Sequence, residues 1–216
     1  MKTSTALMTG AIVFAAVLSG CERVPRMAVE SSDLGRFDAV DFHGAAELNI
    51  VVGQPSEFSV SGGERAVKQL ETSVRGNTLY LRAQKSGWSW FGDQRKLVLN
   101  IHTPSLISFV SNGAGDVHIS GLAGGEHTVR IAGAHNVEAE GTLDSLTIEL
   151  DGAGNIDYGK VKTREVNVRV NGAGNVEVDP TVSLDAQVNG VGAVQYRDEP
   201  QRVTSSIHGL GTIQRK

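Results

Sequence analysis

The sequence predicts an all-β solenoid with coils of about 19 residues and an irregular N-terminal capping part. The first observation is a phrase that recurs six times between Phe109 and Lys216, led by Gly113, Gly133, Gly152, Gly172, Gly190 and Gly209 at spacings of 20, 19, 20, 18 and 19. A fixed period of this kind marks stacked repeats. The second is period-2 alternation on both sides of each glycine, which reads as strand, corner, strand. The third is composition: 26 Gly against 5 Pro, with 5% aromatics and intact apolar columns, fits many tight turns and not disorder.

Taken in order, the chain begins with an export signal. Residues 1–20 carry Lys2, an apolar run from Ala11 to Leu18, and small residues before Cys21. The run is too short to span a bilayer. Leu18-Ser19-Gly20-Cys21 resembles the bacterial lipobox, which implies that Cys21 becomes the lipidated first residue of the mature protein, with acyl chains such as palmitate. Several chains, at about 0.8 kcal/mol per buried CH₂, anchor a protein to a membrane without a spanning helix. The resemblance also implies the cell envelope as the location, and Glu22 after the cysteine implies the outer membrane if the organism has two. As Cys21 is the single cysteine, no internal disulfide forms. Residues 21–36 lack periodicity and include Pro25 and Ser31-Ser32, so they are expected to be the lipidated cysteine and a flexible tether. Residues 37–216 suit one domain with a sizeable core. The formal net charge is −4, without a basic stripe, which argues against a nucleic-acid partner.

In the first half of the domain, Val40, Phe42, Gly44, Leu48 and Ile50 match the phrase and predict a first coil. Residues 53–105 are then an elaboration that caps the exposed core end. Within it Phe58–Ser61 alternates, Glu64–Leu70 permits a short helix, and Arg75-Gly76-Asn77 sits between two strand patterns as a hairpin turn. Leu97–Ile101 is a further strand, ended by Pro104.

The regular half has clear columns. Two residues before the leading glycine stand Ser111, Ile131, Leu150, Val170, Val188 and Ile207; four after it stand Val117, Val137, Ile156, Val176, Val194 and Ile213. Intervening positions such as Arg130, Glu149, Arg169 and Asn189 are polar, so one face is dry and one wet. Five of the six corners are closed by a second glycine, Gly115, Gly154, Gly174, Gly192 or Gly211. Glycine reaches φ > 0 freely and asparagine tolerates it, which suits a corner. If like residues stack, Asn136, Asn155 and Asn175 form a side-chain ladder. An antiparallel sandwich, with each glycine phrase a hairpin turn, is the competing fold; it requires neighbouring strands to run in opposite directions.

Phe37-x-x-Val40-x-Phe42-x-Gly44, the Asn77-x-Leu79-x-Leu81 strand and the iterated Gly-Ala-Gly-Asn corners resemble the head GIN domain family of auto-transporter adhesins. The resemblance covers about residues 37–214 and implies a right-handed β-helical solenoid without catalytic residues or cofactors to carry over. His135 in place of the second glycine, and Ala193 or Thr212 in place of the asparagine, depart from the pattern at those coils.

Motifs for chemistry are few. Gly172-Ala173-Gly174 lacks the third glycine and following helix of a dinucleotide turn, and the calcium-binding nonapeptide spacing does not fit. The six histidines, at 43, 102, 118, 127, 135 and 208, lack zinc-site spacing, so no metal is expected. Gly-x-Ser-x-Gly is absent. Asp116, Glu138, Asp151, Asp157, Glu177 and Asp179 would be the carboxylates of a polysaccharide-cleaving β-helix, yet they occupy outward columns that solubility explains. Trp88, Trp90 and Phe91 cluster between glycines and cations, either as a contact platform for a glycan or protein partner or as a plug for the solenoid end. A second copy of the chain is a further candidate partner. The expectation is a non-enzymatic, membrane-anchored adhesin or surface-binding module; a structural envelope protein and a carbohydrate-active enzyme are the alternatives.

Overall fold

The computed structural model describes residues 35–83 and 96–216, and the backbone of 27–31. It is nearly all strand, wound into a β-solenoid of about five turns. In chain order come β1 (Met27–Ser31), β2 (Ala39–Ala45), β3 (Glu47–Val52), β4 (Glu57–Gly62), the helix α1 (Glu64–Lys68), β5 (Leu70–Arg75), β6 (Thr78–Ala83) and β7 (Val98–Thr103). The array follows as β8 (Ser108–Ala123), β9 (Glu126–Leu150), β10 (Ala153–Val170), β11 (Ala173–Val188), β12 (Val191–Tyr196), β13 (Arg202–Ile207) and β14 (Leu210–Arg215).

From β8 onward every pairing is parallel and in register. Gly113 lies opposite Gly133, Ala153 opposite Ala134 and Ala173, and Val194 opposite Ile213. The antiparallel sandwich is thereby excluded. Each long strand bends through the corner and continues as the next face, and the turn away from it brings register shifts such as that between Ile119 and Leu122. The dry columns fill the interior. Phe109, Val129, Ile148, Val168 and Ala186 form one, and Val117, Val137, Ile156, Val176 and Val194 another, all buried. A fully buried Val, Leu or Ile contributes about 1.5–3 kcal/mol relative to exposure, so each coil is stable only on its neighbour.

The capping half agrees with the sequence in its elements and differs in its layering. β2 and β3 meet at Gly44 and form the first coil, with Gly44 opposite Gly113 and Leu48 opposite Val117. The hairpin turn is present, with Arg75 opposite Thr78 and Gly76 at φ 59°. Residues 53–105 are more than an elaboration, however. β6 pairs parallel with β2, and β7 parallel with β3, so these two strands build another coil layer beneath the first. Antiparallel β5 on β6, β4 on β7 and β1 on β4 then close this end. Antiparallel strands break the winding, which stops the stack. Phe58, Val60 and Val67 cover the core there. Met27–Ser31, inside the stretch expected to be tether, is a strand because the free edge of β4 offers it a ladder. Ten strands stack along the longer face, roughly 43 Å at about 4.8 Å per step.

A polar pair, His127 with Tyr158, lies inside this interior. His127 is buried between Leu106 and Tyr158, with Nδ1 2.9 Å from the Leu106 carbonyl oxygen and Nε2 3.1 Å from the Tyr158 hydroxyl. The carbonyl only accepts, so Nδ1 carries the proton and the tyrosine hydroxyl donates to Nε2. Burial pushes the His127 pKa down to about 4, against a partial offset from the Leu106 carbonyl, and pushes that of Tyr158 up. An unfolded chain binds a proton at His127 below about pH 6.5 that the folded chain refuses until about pH 4, so stability falls as pH falls through that window. The loss is about 3 kcal/mol at 1.36 kcal/mol per unit. Denaturant unfolding at a series of pH values should show this fall. His127→Leu, which leaves both partners unsatisfied, should lower stability at pH 8 and flatten the fall, leaving the smaller contribution of His135.

Candidate functional site

The feature that recurs at every level of the stack is the corner, and its chemistry begins with backbone contact. A Cβ built on Gly172 would overlap the carbonyl oxygen of Gly152, one on Gly190 that of Gly172, and one on Gly209 that of Gly190. The second column behaves alike: Gly174 lies against Gly154, and Gly192 against Gly174. The Gly152 oxygen is occupied, accepting from the Ala173 N–H at 2.9 Å. Close approach, more than left-handed backbone, is therefore what excludes other residues. Among the corner glycines of the array only Gly115, Gly133 and Gly154 take positive φ, and no asparagine does.

Asparagine serves the corner through its side chain. Asn136 Nδ2 donates to Asp116 Oδ1 at 3.2 Å, Asn155 to Asn136 Oδ1 at 3.4 Å, and Asn175 to Asn155 Oδ1 at 3.1 Å. This is the ladder expected from the sequence, and it stops where Ala193 stands next in register. A second ladder runs on the other side of the corner, with Asn171 donating to Asp151 Oδ1 at 2.7 Å and Asn189 to Asn171 Oδ1 at 2.8 Å. Both have the same polarity, each amide donating toward the N-terminal end, and both begin at a carboxylate, which only accepts. Asp116 also receives Lys96 Nζ at 2.6 Å, and that bond, followed by the one from Asn136, holds its carboxyl below the usual range. The second ladder was visible in the sequence as Asp151, Asn171 and Asn189, one place before each glycine.

His135 replaces a corner glycine by turning into the core. Its Nε2 lies 2.8 Å from the Ser111 hydroxyl, and both residues are buried. Ser111 is the small member of an otherwise Ile, Leu and Val column, and the missing volume admits the ring. The two departures from the repeat compensate each other. Burial lowers the His135 pKa, opposed in part by Asp116.

The other carboxylates are separately engaged. Glu138 lies 3.7 Å from His118, Asp157 accepts from the Gly159 N–H at 2.9 Å, and Asp179 from that of Asp198 at 3.2 Å. Glu177 binds Lys216 at 2.8 Å and Arg197, and the hydrogen bond from Lys216 leads in holding its pKa down. Among the described residues no group of three His, Cys, Asp or Glu side chains converges as a metal would need. A shallow polar groove of about 470 Å³ crosses the face of β9, β10, β11 and β13, where Thr147, Asn167, Asp185 and Thr204 stand in one outward column. Cys21, Trp88, Trp90 and Phe91 lie outside the described residues. Ala83, the last described residue before the aromatics, lies against Gly44, where a Cβ would collide with it.

The stacked Gly-x-Gly corner with its coil-to-coil register has a counterpart among known families. The family model described as "Putative auto-transporter adhesin, head GIN domain" matches residues 36–200. The chain belongs to this family. A crystal structure from Bacteroides fragilis NCTC 9343, titled "putative adhesin", superposes on this head GIN chain at a TM-score of 0.68 and 24% identity, over 89% of this chain and 97% of its own. It shares the fold. Two Parabacteroides distasonis ATCC 8503 structures are more distant. One, titled "putative adhesin", has 18% identity and a TM-score of 0.48, covering 89% of this chain and 97% of its own. The other, titled "Putative lipid binding protein", has 20% identity and a TM-score of 0.44, covering 88% and 96%. Among functionally curated proteins none matches the chain.

The two roles at the corner separate by substitution. Gly172→Ala, which forces the Gly152 oxygen and the next coil apart, should cost about 3 kcal/mol. Asn171→Ala removes two solvent-facing amide bonds and should cost about 1–2 kcal/mol. Denaturant unfolding of both variants checks the order.

Proposed function

We propose that this head GIN protein is a non-enzymatic adhesin or surface-binding module, held in the cell envelope by acyl chains on Cys21 and presenting its solenoid to a glycan or protein. Family membership is the observation that carries the reading. The lipobox-like Leu18–Cys21 supports the anchor; in the sequence it precedes β1, the strand that pairs with β4 at the closed end of the stack.

The solenoid supplies what a binding module needs. Its outward columns repeat hydroxyl, amide and carboxylate groups at one-coil spacing, on a scaffold whose register is fixed by coil-to-coil pairing. Pre-organised groups bind without a large ordering cost. The sequence cluster Trp88, Trp90 and Phe91 adds candidate aromatic anchors, a residue class enriched where binding energy concentrates. In this reading the carboxylates serve the ladders and ion pairs described above rather than bond cleavage.

Binding of the purified chain to glycan arrays and to whole cells tests the reading. Binding is expected, and the double variant Trp88→Ala/Trp90→Ala should weaken it about tenfold or more with the melting temperature nearly unchanged. No binding to either surface would contradict the adhesin reading. A large loss of stability in the double variant would make the aromatics a plug.

A further inference from the structure

We propose that the polar groove across β9, β10 and β11 is a binding site for a neutral linear glycan, laid along the stack. Thr147, Asn167 and Asp185 are register partners on three successive coils and form its floor. Each is flanked along its own strand by buried residues, Leu146 and Ile148, Val166 and Val168, or Leu184 and Ala186, so strand alternation holds all three outward. In the next outward column Glu165 and Arg202 alternate with the small Ser145 and Ser183, which leaves a cleft of about 470 Å³, the size of a ligand site. Elsewhere the outward columns bond internally. Asn171 donates to Asp151 and Asn189 to Asn171, and Glu149 pairs with Arg130 and Arg169. Among the described residues no polar side chain of the groove has a hydrogen bond or ion pair within the chain, although Asn167 stands one coil from Asp185. Their donors and acceptors are free for a ligand.

The chemistry of the lining selects the ligand. An apolar molecule would leave the hydroxyl, amide and carboxylate groups of the floor without partners, at a cost in free energy. Two carboxylates, Glu165 and Asp185, against the one guanidinium of Arg202 disfavour a uronate or sulfated chain. An extended peptide repeats its same-face side chains about every 6.6 Å, against about 4.8 Å per coil, so it falls out of step by about 2 Å at each contact. Its N–H and C=O groups would find no ladder either, because β10 is already paired with β9 on one side and β11 on the other. A glycan carries hydroxyls along its whole length, each both donor and acceptor, so every group of the floor finds a match. Groups held in place before the ligand arrives bind it at little ordering cost. The inference rests on the surface-binding reading above and narrows it to one face and one ligand class.

Affinity electrophoresis of the purified chain through gels carrying amylose, mannan or β-glucan tests it, with hyaluronan as the acidic arm and denatured casein as the extended-peptide arm. Retardation by at least one of the three neutral polysaccharides is expected. Asn167→Ala/Asp185→Ala should weaken that binding about tenfold or more with the melting temperature unchanged, since neither side chain bonds within the fold. Should that variant fold poorly, Thr147→Ala/Ser183→Ala must have the same effect. No retardation by any of the three, retardation indifferent to both variants, or groove-dependent binding of hyaluronan or casein alone overturns the proposal. Binding of the same proteins to whole cells keeps the two readings apart. A chain that no polysaccharide retards, and that binds cells equally well with the groove substituted, rejects the groove and leaves the adhesin reading. Polysaccharide binding that the groove variants lose, in a chain that binds no cell, upholds the groove and rejects cell adhesion.

Discussion

At the corner, the backbone of one coil presses against the carbonyl oxygens of the coil beneath, with no space for a Cβ between them. This contact dictates most of the rest. With Gly172 on Gly152 and Gly190 on Gly172, adjacent coils cannot slide by one residue without driving a side chain into a carbonyl. Register is therefore fixed at one point per turn, and the alternation of each strand carries that register outward along both faces. Apolar columns then meet in the interior, and amides meet outside at hydrogen-bonding distance.

The ladders are consequences of this register. An asparagine side chain has a donor and an acceptor on one planar group, so a column of them bonds end to end whenever the coils repeat in step. Asp116 and Asp151 give both ladders a terminus that only accepts and leaves no N–H in need of a further acceptor. The exposed ion pairs alongside, such as Arg130 with Glu149 at 2.7 Å, contribute little by comparison. Two pairs of buried polar side chains, His127 with Tyr158 and His135 with Ser111, fill positions where the aliphatic column is interrupted, whereas buried Thr103, Thr163 and Asp179 bond to backbone.

The winding, the corner glycines and the Asn136–Asn155–Asn175 ladder were legible in the sequence because they repeat. What does not repeat was harder to read. The β6–β7 layer carries no corner glycine phrase, since residues 84–95 replace it, so Leu79, Leu81, Leu99 and Ile101 looked like parts of an elaboration. The reason for glycine was also misjudged. A lone phrase suggests left-handed backbone, whereas the cause is a neighbour nineteen residues away, which a local reading cannot see. His135 looked like an isolated departure; its compensation by the small Ser111 emerges only once that side chain is placed beside the His135 ring.

Cysteine cross-linking along the outer ladder, in a Cys21→Ser background, addresses the in-register stacking most directly. Asn155 and Asn175 are register partners, and neighbouring strands lie within the span a disulfide bridges. The pair Asn155→Cys/Asn175→Cys should oxidise readily to a disulfide, while Asn155→Cys/Asn171→Cys should not. Bridging of the second pair in preference to the first would contradict the stacking on which the fold and the ladders depend.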